Sequence, residues 1–352
     1  MNKTVKKAII ILVIILAVVV AASLGLSALN KPLNRNDQTY KNVTIEQGSS
    51  TGDIAAILKK NGLINSEGSY KFLSKIWRYD GKYKAGMYSL SPSMTKSEIA
   101  DIIKSGKSQG LTVTIPEGYT VDQIAKLLAD QGLVDKDKFL DACANGDFSK
   151  FSFVPSDKKG DPNRLEGFLF PETYQLPVNA DAEQIIVMML SQFQTVYSDK
   201  YQKKAESMGL TTEQVITIAS LIEKEAAADQ DRAKVASVIY NRLDKDMALQ
   251  FCSSVQYLLD KQGIHKEILS EADTKIDSPY NTYQNTGLPP GPIRIPSPIG
   301  LDAVLNYTKH NYIYMCAKED FSGTHNFAAN YSDHMKNARR YWNALNERKI
   351  FK

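Results

Sequence analysis

From Ala8 to Leu29 the chain runs AIIILVIILAVVVAASLGLSAL without a charged position. At 1.5 Å per residue this run reaches about 33 Å as a helix, enough to cross a hydrocarbon core of about 30 Å. Lys3, Lys6 and Lys7 precede it, so the positive-inside tendency keeps residues 1–7 cytoplasmic and exports everything after Asn30. The run exceeds the roughly 7–15 apolar residues of a signal peptide and lacks an A-x-A cleavage site, which favours an uncleaved anchor over residues 8–29. Residues 30–42, NKPLNRNDQTYKN, are polar and aperiodic and read as a short flexible tether.

A repeat follows. VTIEQGSSTGDIAAILKKNGLI (43–64) and VTIPEGYTVDQIAKLLADQGLV (113–134) share the order strand, Gly turn, amphipathic helix, Gly stop and apolar exit. Alternating Val and Ile give each a short strand. Ile54, Ile57 and Leu58 in one copy, and Ile124, Leu127 and Leu128 in the other, recur at helical spacing. Two copies are too few for a solenoid, so the pattern predicts a duplicated α/β unit. Beyond about Gly110 the pattern is mostly helical, with a strand expected at Tyr312–Cys316.

Thr211-x-x-Gln214 has capping-box form, and Val215, Ile218, Ala219, Ile222 and Ala226 then fall on one helical stripe. At 100° per residue, Glu223 and Glu225 sit roughly 80° to either side of that stripe, at the boundary between core and solvent. Desolvation there can raise a carboxyl pKa enough to hold a proton near neutral pH. Periodicity alone does not choose between them, and it equally allows two solvated helix charges. The stretch from Ser278 to Ile293 is too rich in turn formers for a helix and predicts an ordered loop.

Composition adds mainly exclusions. The 352 residues carry 43 Lys and Arg against 39 Asp and Glu, spread along the chain, which gives no nucleic-acid footprint. Cys143, Cys252 and Cys316 are odd in number and far apart, so they read as free, buried thiols rather than a disulfide framework or a zinc site. His265, His310, His325 and His334 lack the spacing of a metalloenzyme motif. No metal and no cofactor is expected.

Several short motifs then converge. Ala219-Ser220-Leu221-Ile222-Glu223-Lys224-Glu225 is followed by Val235-Ala236-Ser237-Val238-Ile239-Tyr240-Asn241-Arg242-Leu243, then Ser278-Pro279-Tyr280-Asn281-Thr282-Tyr283 and Gly287-Leu288-Pro289-Pro290-Gly291-Pro292-Ile293. Leu165-Glu166-Gly167-Phe168-Leu169-Phe170-Pro171-Glu172-Thr173-Tyr174 and Gly323-Thr324-His325-Asn326-Phe327 bracket them. Together they resemble the endolytic murein transglycosylases, the YceG-like family. The resemblance implies an α+β chain: an N-terminal transmembrane helix, a LysM-like α/β module over 43–109, and a larger, mostly helical α+β catalytic domain over 110–352. A LysM-like module implies either contact with glycan or plain packing.

The family's acid/base is the second glutamate of its E-K-E motif, which is Glu225 here. The implied reaction cleaves the bond between N-acetylmuramic acid and N-acetylglucosamine in nascent peptidoglycan and leaves a 1,6-anhydro sugar. One carboxyl serves as acid and then base, unlike the paired carboxylates of ordinary glycosidases. Glu166, Gln250, Tyr280 and Asn281 are candidate substrate contacts, although Glu166 also suits a structural acceptor and the Tyr280 loop could serve only to close the fold. Asn241, Ser254 and His325 are candidate supporting groups. After Gln250 the family reads T/S-D-P-T-V where this chain has Phe251-Cys252-Ser253-Ser254-Val255, so an acid and a proline are missing. That departure leaves open a glycan-binding scaffold that has lost turnover. A hydrolase using Glu223 and Glu225 together is disfavoured, because residues i and i+2 on a helix diverge by about 200°. Glycan strands are the expected partner, with wall-synthesis proteins beside them at the membrane.

Overall fold

The computed structural model describes residues 3–106, 110–177, 180–266 and 268–350. The expected boundary at 109/110 and the first two residues of the expected cytoplasmic tail lie outside the described residues. The chain is a helix-rich α+β protein that divides into two compact units, Met1–Val113 with Thr173–Ala180, and Thr114–Glu172 with Asp181–Lys352.

The first unit opens with α1 (Lys3–Leu29), whose stretch Ile10–Leu29 is long and apolar enough to cross a membrane and buries none of its side chains in the protein. Then come β1 (Lys41–Ile45), α2 (Thr51–Lys60), α3 (Glu67–Trp77), β2 (Gly86–Leu90) and α4 (Lys96–Ser105), with β3 (Gly110–Thr114) and β4 (Thr173–Pro177) forming a second small sheet. β1 and β2 pair antiparallel, with Val43 opposite Tyr88. Their inner faces close on Ile54, Leu58, Tyr70, Ile99 and Ile103, all buried. Each such side chain contributes about 1.5–3 kcal/mol by leaving water.

Residues 30–37 are fastened by hydrogen bonds. Asn30 exchanges two hydrogen bonds with Ser97, and Lys96 Nζ donates to the carbonyls of Leu29 and Lys31 at 2.8 and 3.2 Å. Asn34 N reaches Pro92 O, and Ser91 Oγ donates to Asp37 O. The polar composition that suggested slack instead supplies partners for a helix end: Lys96 satisfies the carbonyl of Leu29, the last residue of α1, which no intrahelical donor reaches.

In the second unit α5 (Val121–Asp130), α6 (Lys136–Asn145), α7 (Ala182–Val196), α8 (Asp199–Ser207), α9 (Thr212–Glu225), α10 (Asp229–Leu243), α11 (Cys252–Asp260) and α12 (Pro298–Leu305) precede a hairpin and a last helix. The hairpin is β5 (Tyr314–Ala317) with β6 (His325–Ala328), and α13 is Tyr331–Ile350. β5 begins two residues later than the expected Tyr312, whose carbonyl is taken by Asn241 and whose ring stacks on Phe327.

The repeat is visible in local detail. Ser50 with Asp53 and Thr120 with Gln123 form capping boxes at the starts of α2 and α5. Both helices close the same way: Leu63 N bonds Leu58 O at 2.9 Å and Leu133 N bonds Leu128 O at 3.0 Å, across Gly62 and Gly132 at φ +62 and +69. A second capped helix follows each, α3 behind Ser66 and α6 behind Asp135.

α9 is the axis of the second unit, with every residue from Val215 to Ile222 buried against its neighbours. Gly167 approaches it closely at φ +82. A Cβ there would stand 2.6 Å from Pro292 Cβ and 2.7 Å from Ile216 Cγ2. Gly167→Ala should therefore cost about 1–3 kcal/mol through overpacking, read as a lower midpoint in urea at unchanged slope.

Candidate active site

Two carboxylates end α9, and their surroundings differ. Glu223 is occupied: its side chain is 7 % exposed, and Arg232 of α10, itself 8 % exposed, donates Nη1 to Oε2 and Nη2 to Oε1, the latter at 3.0 Å. Ser297, the N-cap of α12, adds its N–H at 3.0 Å and its hydroxyl at 2.7 Å. Arg232 also donates to Asp229 and to Ser297 Oγ, each at 3.0 Å. This network joins α9, α10 and α12 and holds Glu223 as a paired structural carboxylate, with donors on both of its oxygens.

Among the described residues Glu225 has no such ion pair. Its carboxyl is half-buried at the last residue of α9, and Oε1 accepts the backbone N–H of Ser253 at 3.0 Å. Ser253 lies in the first turn of α11, whose N-terminal amides carry partial positive charge. Burial pushes the Glu225 carboxyl above the ordinary glutamate range. Hydrogen bonding with Ser253 and the charges of His325 and Arg242 draw part of that rise back. A carboxyl so balanced keeps its proton to higher pH while its ionised form still meets donors. That suits a group that must give a proton and then take one.

The other candidate residues fall into two groups. Near Glu225, Gln250 is exposed and held at φ +52, with its N–H on Thr282 O at 2.9 Å. Ser254 is buried and shares hydrogen bonds with Phe251 O and Thr282 Oγ1. His325 is fastened to buried Asp231, its N–H at 2.6 Å and its Nδ1 at 3.3 Å from Oδ2. Asn241 donates to the carbonyls of His310 and Tyr312 and so pins α10 to the strand leading into β5.

Glu166 and Tyr280 stand elsewhere. A Cβ at Gly291 would lie 3.3 Å from the Tyr280 hydroxyl and 3.7 Å from Glu213 Oε1, which puts Tyr280 at the opposite end of α9. Twelve residues of helix, about 18 Å, separate Glu213 from Glu225. Gly167 packs on Ile216, nine residues before Glu225 or about 13 Å along the axis. Glu166 itself is fully buried and accepts from Val121 N at 3.2 and 3.4 Å, and burial raises its pKa to about 7 against the pull of Lys261, the Val121 N–H and Arg294. Asn281 is fully buried too: its amide donates to Thr274 O and Ile276 O and its oxygen accepts Tyr283 N.

The Ser253 donor and the Thr282 contacts were not legible in the sequence, whereas Arg242 beside Asn241 reads as a hydrogen-bonding support, and its guanidinium binds the carbonyls of Ile313, Ala248 and Leu249. Ser297-Pro298, a helix-start signature, was also there to be read. One expectation is corrected. The cysteines are free but not all buried: Cys252 is exposed, because it is the first residue of α11 and faces outward with Sγ 3.1 Å from the Tyr283 hydroxyl.

Comparison with known proteins fits this arrangement. The YceG-like family matches residues 43–340. The chain belongs to that family. A Bacillus subtilis relative named endolytic murein transglycosylase is 35% identical over 333 residues, covering 91% of this chain and 90% of that protein. A Streptococcus pneumoniae relative of the same name is 34% identical over 335 residues, covering 89% of this chain. The YceG-like chain spans only 60% of the length of that streptococcal protein. A crystal structure of a YceG-like protein from Listeria monocytogenes superposes with a TM-score of 0.59 at 35% identity, covering 85% of this chain and 99% of the other.

Proposed function

We propose that this YceG-like chain is a membrane-anchored peptidoglycan lytic transglycosylase with Glu225 as its acid/base. The observation that carries the reading is the half-buried Glu225 carboxyl, raised in pKa by burial and accepting the backbone N–H of Ser253. Protonated Glu225 gives its proton to the glycosidic oxygen between N-acetylmuramic acid and N-acetylglucosamine. The resulting carboxylate then takes the proton of the muramyl C6 hydroxyl as that oxygen closes on C1. The products are a 1,6-anhydro end and a free hydroxyl on the departing sugar, with no water consumed.

Incubating the full chain in detergent with un-crosslinked glycan strands should yield 1,6-anhydro-muramyl ends by mass spectrometry. Reducing ends carrying oxygen from labelled water would replace this reading with hydrolysis. Glycan binding without any new ends would favour a scaffold, the reading to which the altered Phe251–Ser254 segment lends its support.

The order β1–α2–α3–β2, with antiparallel outer strands, supports a LysM-like module. Its β1–α2 and α3–β2 connections border a cleft of about 480 Å³ lined by Glu46, Ser49, Thr51, Gly81 and Tyr83. This cleft has the hydroxyls and aromatic edge that suit an N-acetyl sugar. Ser49→Trp should weaken binding of soluble chitooligosaccharide about tenfold or more without lowering Tm. Wild-type protein that ignores the sugar would make the module a packing element. With α1 as anchor and the domains exported, the substrate is nascent glycan at the membrane face, where wall-synthesis proteins are the natural partners.

A further inference from the structure

Glu225 meets a backbone donor at a position where the family pattern stated above has a proline. Aligning T/S-D-P-T-V with Phe251-Cys252-Ser253-Ser254-Val255 puts Ser253 on that proline, and proline has no N–H to give. Here the Ser253 N–H stands 3.0 Å from Glu225 Oε1.

The donor is held by a buried circuit of hydrogen bonds. Phe251 N donates to Thr282 Oγ1 at 2.9 Å, Ser254 Oγ donates to Phe251 O at 2.9 Å, and Thr282 N donates to Ser254 Oγ at 3.2 Å. The two hydroxyl oxygens are 2.9 Å apart, which leaves the Thr282 proton directed at Ser254. Gln250 N adds a bond to Thr282 O at 2.9 Å. Ser254 and Thr282 are 0 % and 2 % exposed, so water does not compete for these bonds. The first turn of α11 is thereby fixed to the loop through Thr282, and its second amide is aimed at α9.

We propose that Ser253, through its backbone N–H, is a positioning residue for Glu225: it binds Oε1 and leaves Oε2 as the oxygen that exchanges its proton with the sugar, with Thr282 and Ser254 as the clamp that holds it there. The assignment rests on Glu225 being the acid/base. An oxygen already accepting an N–H is the poorer proton site, so the proton of the acid form resides on Oε2. The same N–H favours the carboxylate that must next act as base.

The test removes the donor and little else. Ser253→Pro deletes one N–H in a first helical turn, where proline is tolerated. In the full chain, kcat should fall between about tenfold and a hundredfold, as for a misaligned catalytic group, with KM unchanged. Because activity needs protonated Glu225 and falls as pH rises through its pKa, loss of a donor to the carboxylate should move the descending limb to higher pH. Ser253→Ala keeps the N–H and loses only the hydroxyl, which also draws the carboxyl down, so its limb should move less than that of Ser253→Pro, whereas Thr282→Val loosens the clamp and should move the limb as Ser253→Pro does. Thr282→Ser should restore it. Carbon-13 titration of the Glu225 carboxyl, its resonance identified by its loss in Glu225→Gln, reads the same shift without turnover. An unmoved titration in Ser253→Pro, or an equal shift in Ser253→Ala, would overturn the proposal while leaving Glu225 as the acid/base. An active Glu225→Gln enzyme whose wild-type carboxyl still responds to Ser253→Pro would instead retire the catalytic reading and keep the contact.

Discussion

Glu225→Gln is expected to reduce the formation of 1,6-anhydro ends by about 10²–10⁴-fold, the usual worth of a positioned general acid/base. The substitution conserves shape and leaves an amide oxygen for the Ser253 N–H, so the fold should be intact. Stability separates this loss from unfolding, and its sign follows from the raised pKa. Below about 4.3, the unperturbed glutamate value, both folded and unfolded wild type hold the proton. As pH rises the unfolded chain releases it first, so wild type loses stability until the folded carboxyl titrates as well. Glutamine does not titrate. The variant should therefore gain in Tm relative to wild type as pH climbs from 4 toward neutrality, while remaining inactive throughout. Wild-type rates from Glu225→Gln would remove Glu225 from the chemistry.

Arg232→Met should strongly destabilise the second unit. It strands the Glu223 carboxylate, buried at 7 % exposure, with only the two Ser297 donors. Breaking one side of a buried pair costs about 3–5 kcal/mol. For a unit of this size that corresponds to a Tm lower by roughly 10 °C, followed by calorimetry. Adding Glu223→Gln to the same chain should recover much of the loss, since the stranded charge is then gone. A double variant as unstable as Arg232→Met alone would mean that packing of the guanidinium stem, rather than the ion pair, holds α9 to α10.

What was legible in the sequence was whatever local periodicity encodes. The start of α9 at Thr211, the duplicated strand–helix order with its glycine stops, and the apolar N-terminal run all depend on residues within four positions of one another. The distinction between Glu223 and Glu225 was not of that kind. It depends on Arg232 and Ser297 arriving from other helices, nine and seventy-four residues further along. The same limit explains Glu166 and Tyr280. Motifs quoted side by side in a family pattern need not share a cleft, and α9 holds these two near its first half while Glu225 ends its last turn. Asn281 reads as a substrate contact because ordered loops of this kind often line clefts, whereas its buried amide is spent on the carbonyls of Thr274 and Ile276.

The fastening of residues 30–37 changes how motion would pass along the chain. Thirteen slack residues would let the first unit wander over about 20 Å, but Lys96 and Ser97 grip the end of α1 directly. A span of 20 apolar residues answers a thinner or thicker bilayer by tilting. With α1 in a bilayer, the cleft beside Ser49 and Tyr83 would swing with that tilt instead of averaging over it. Lipid thickness would then set the angle at which the first unit faces a passing strand.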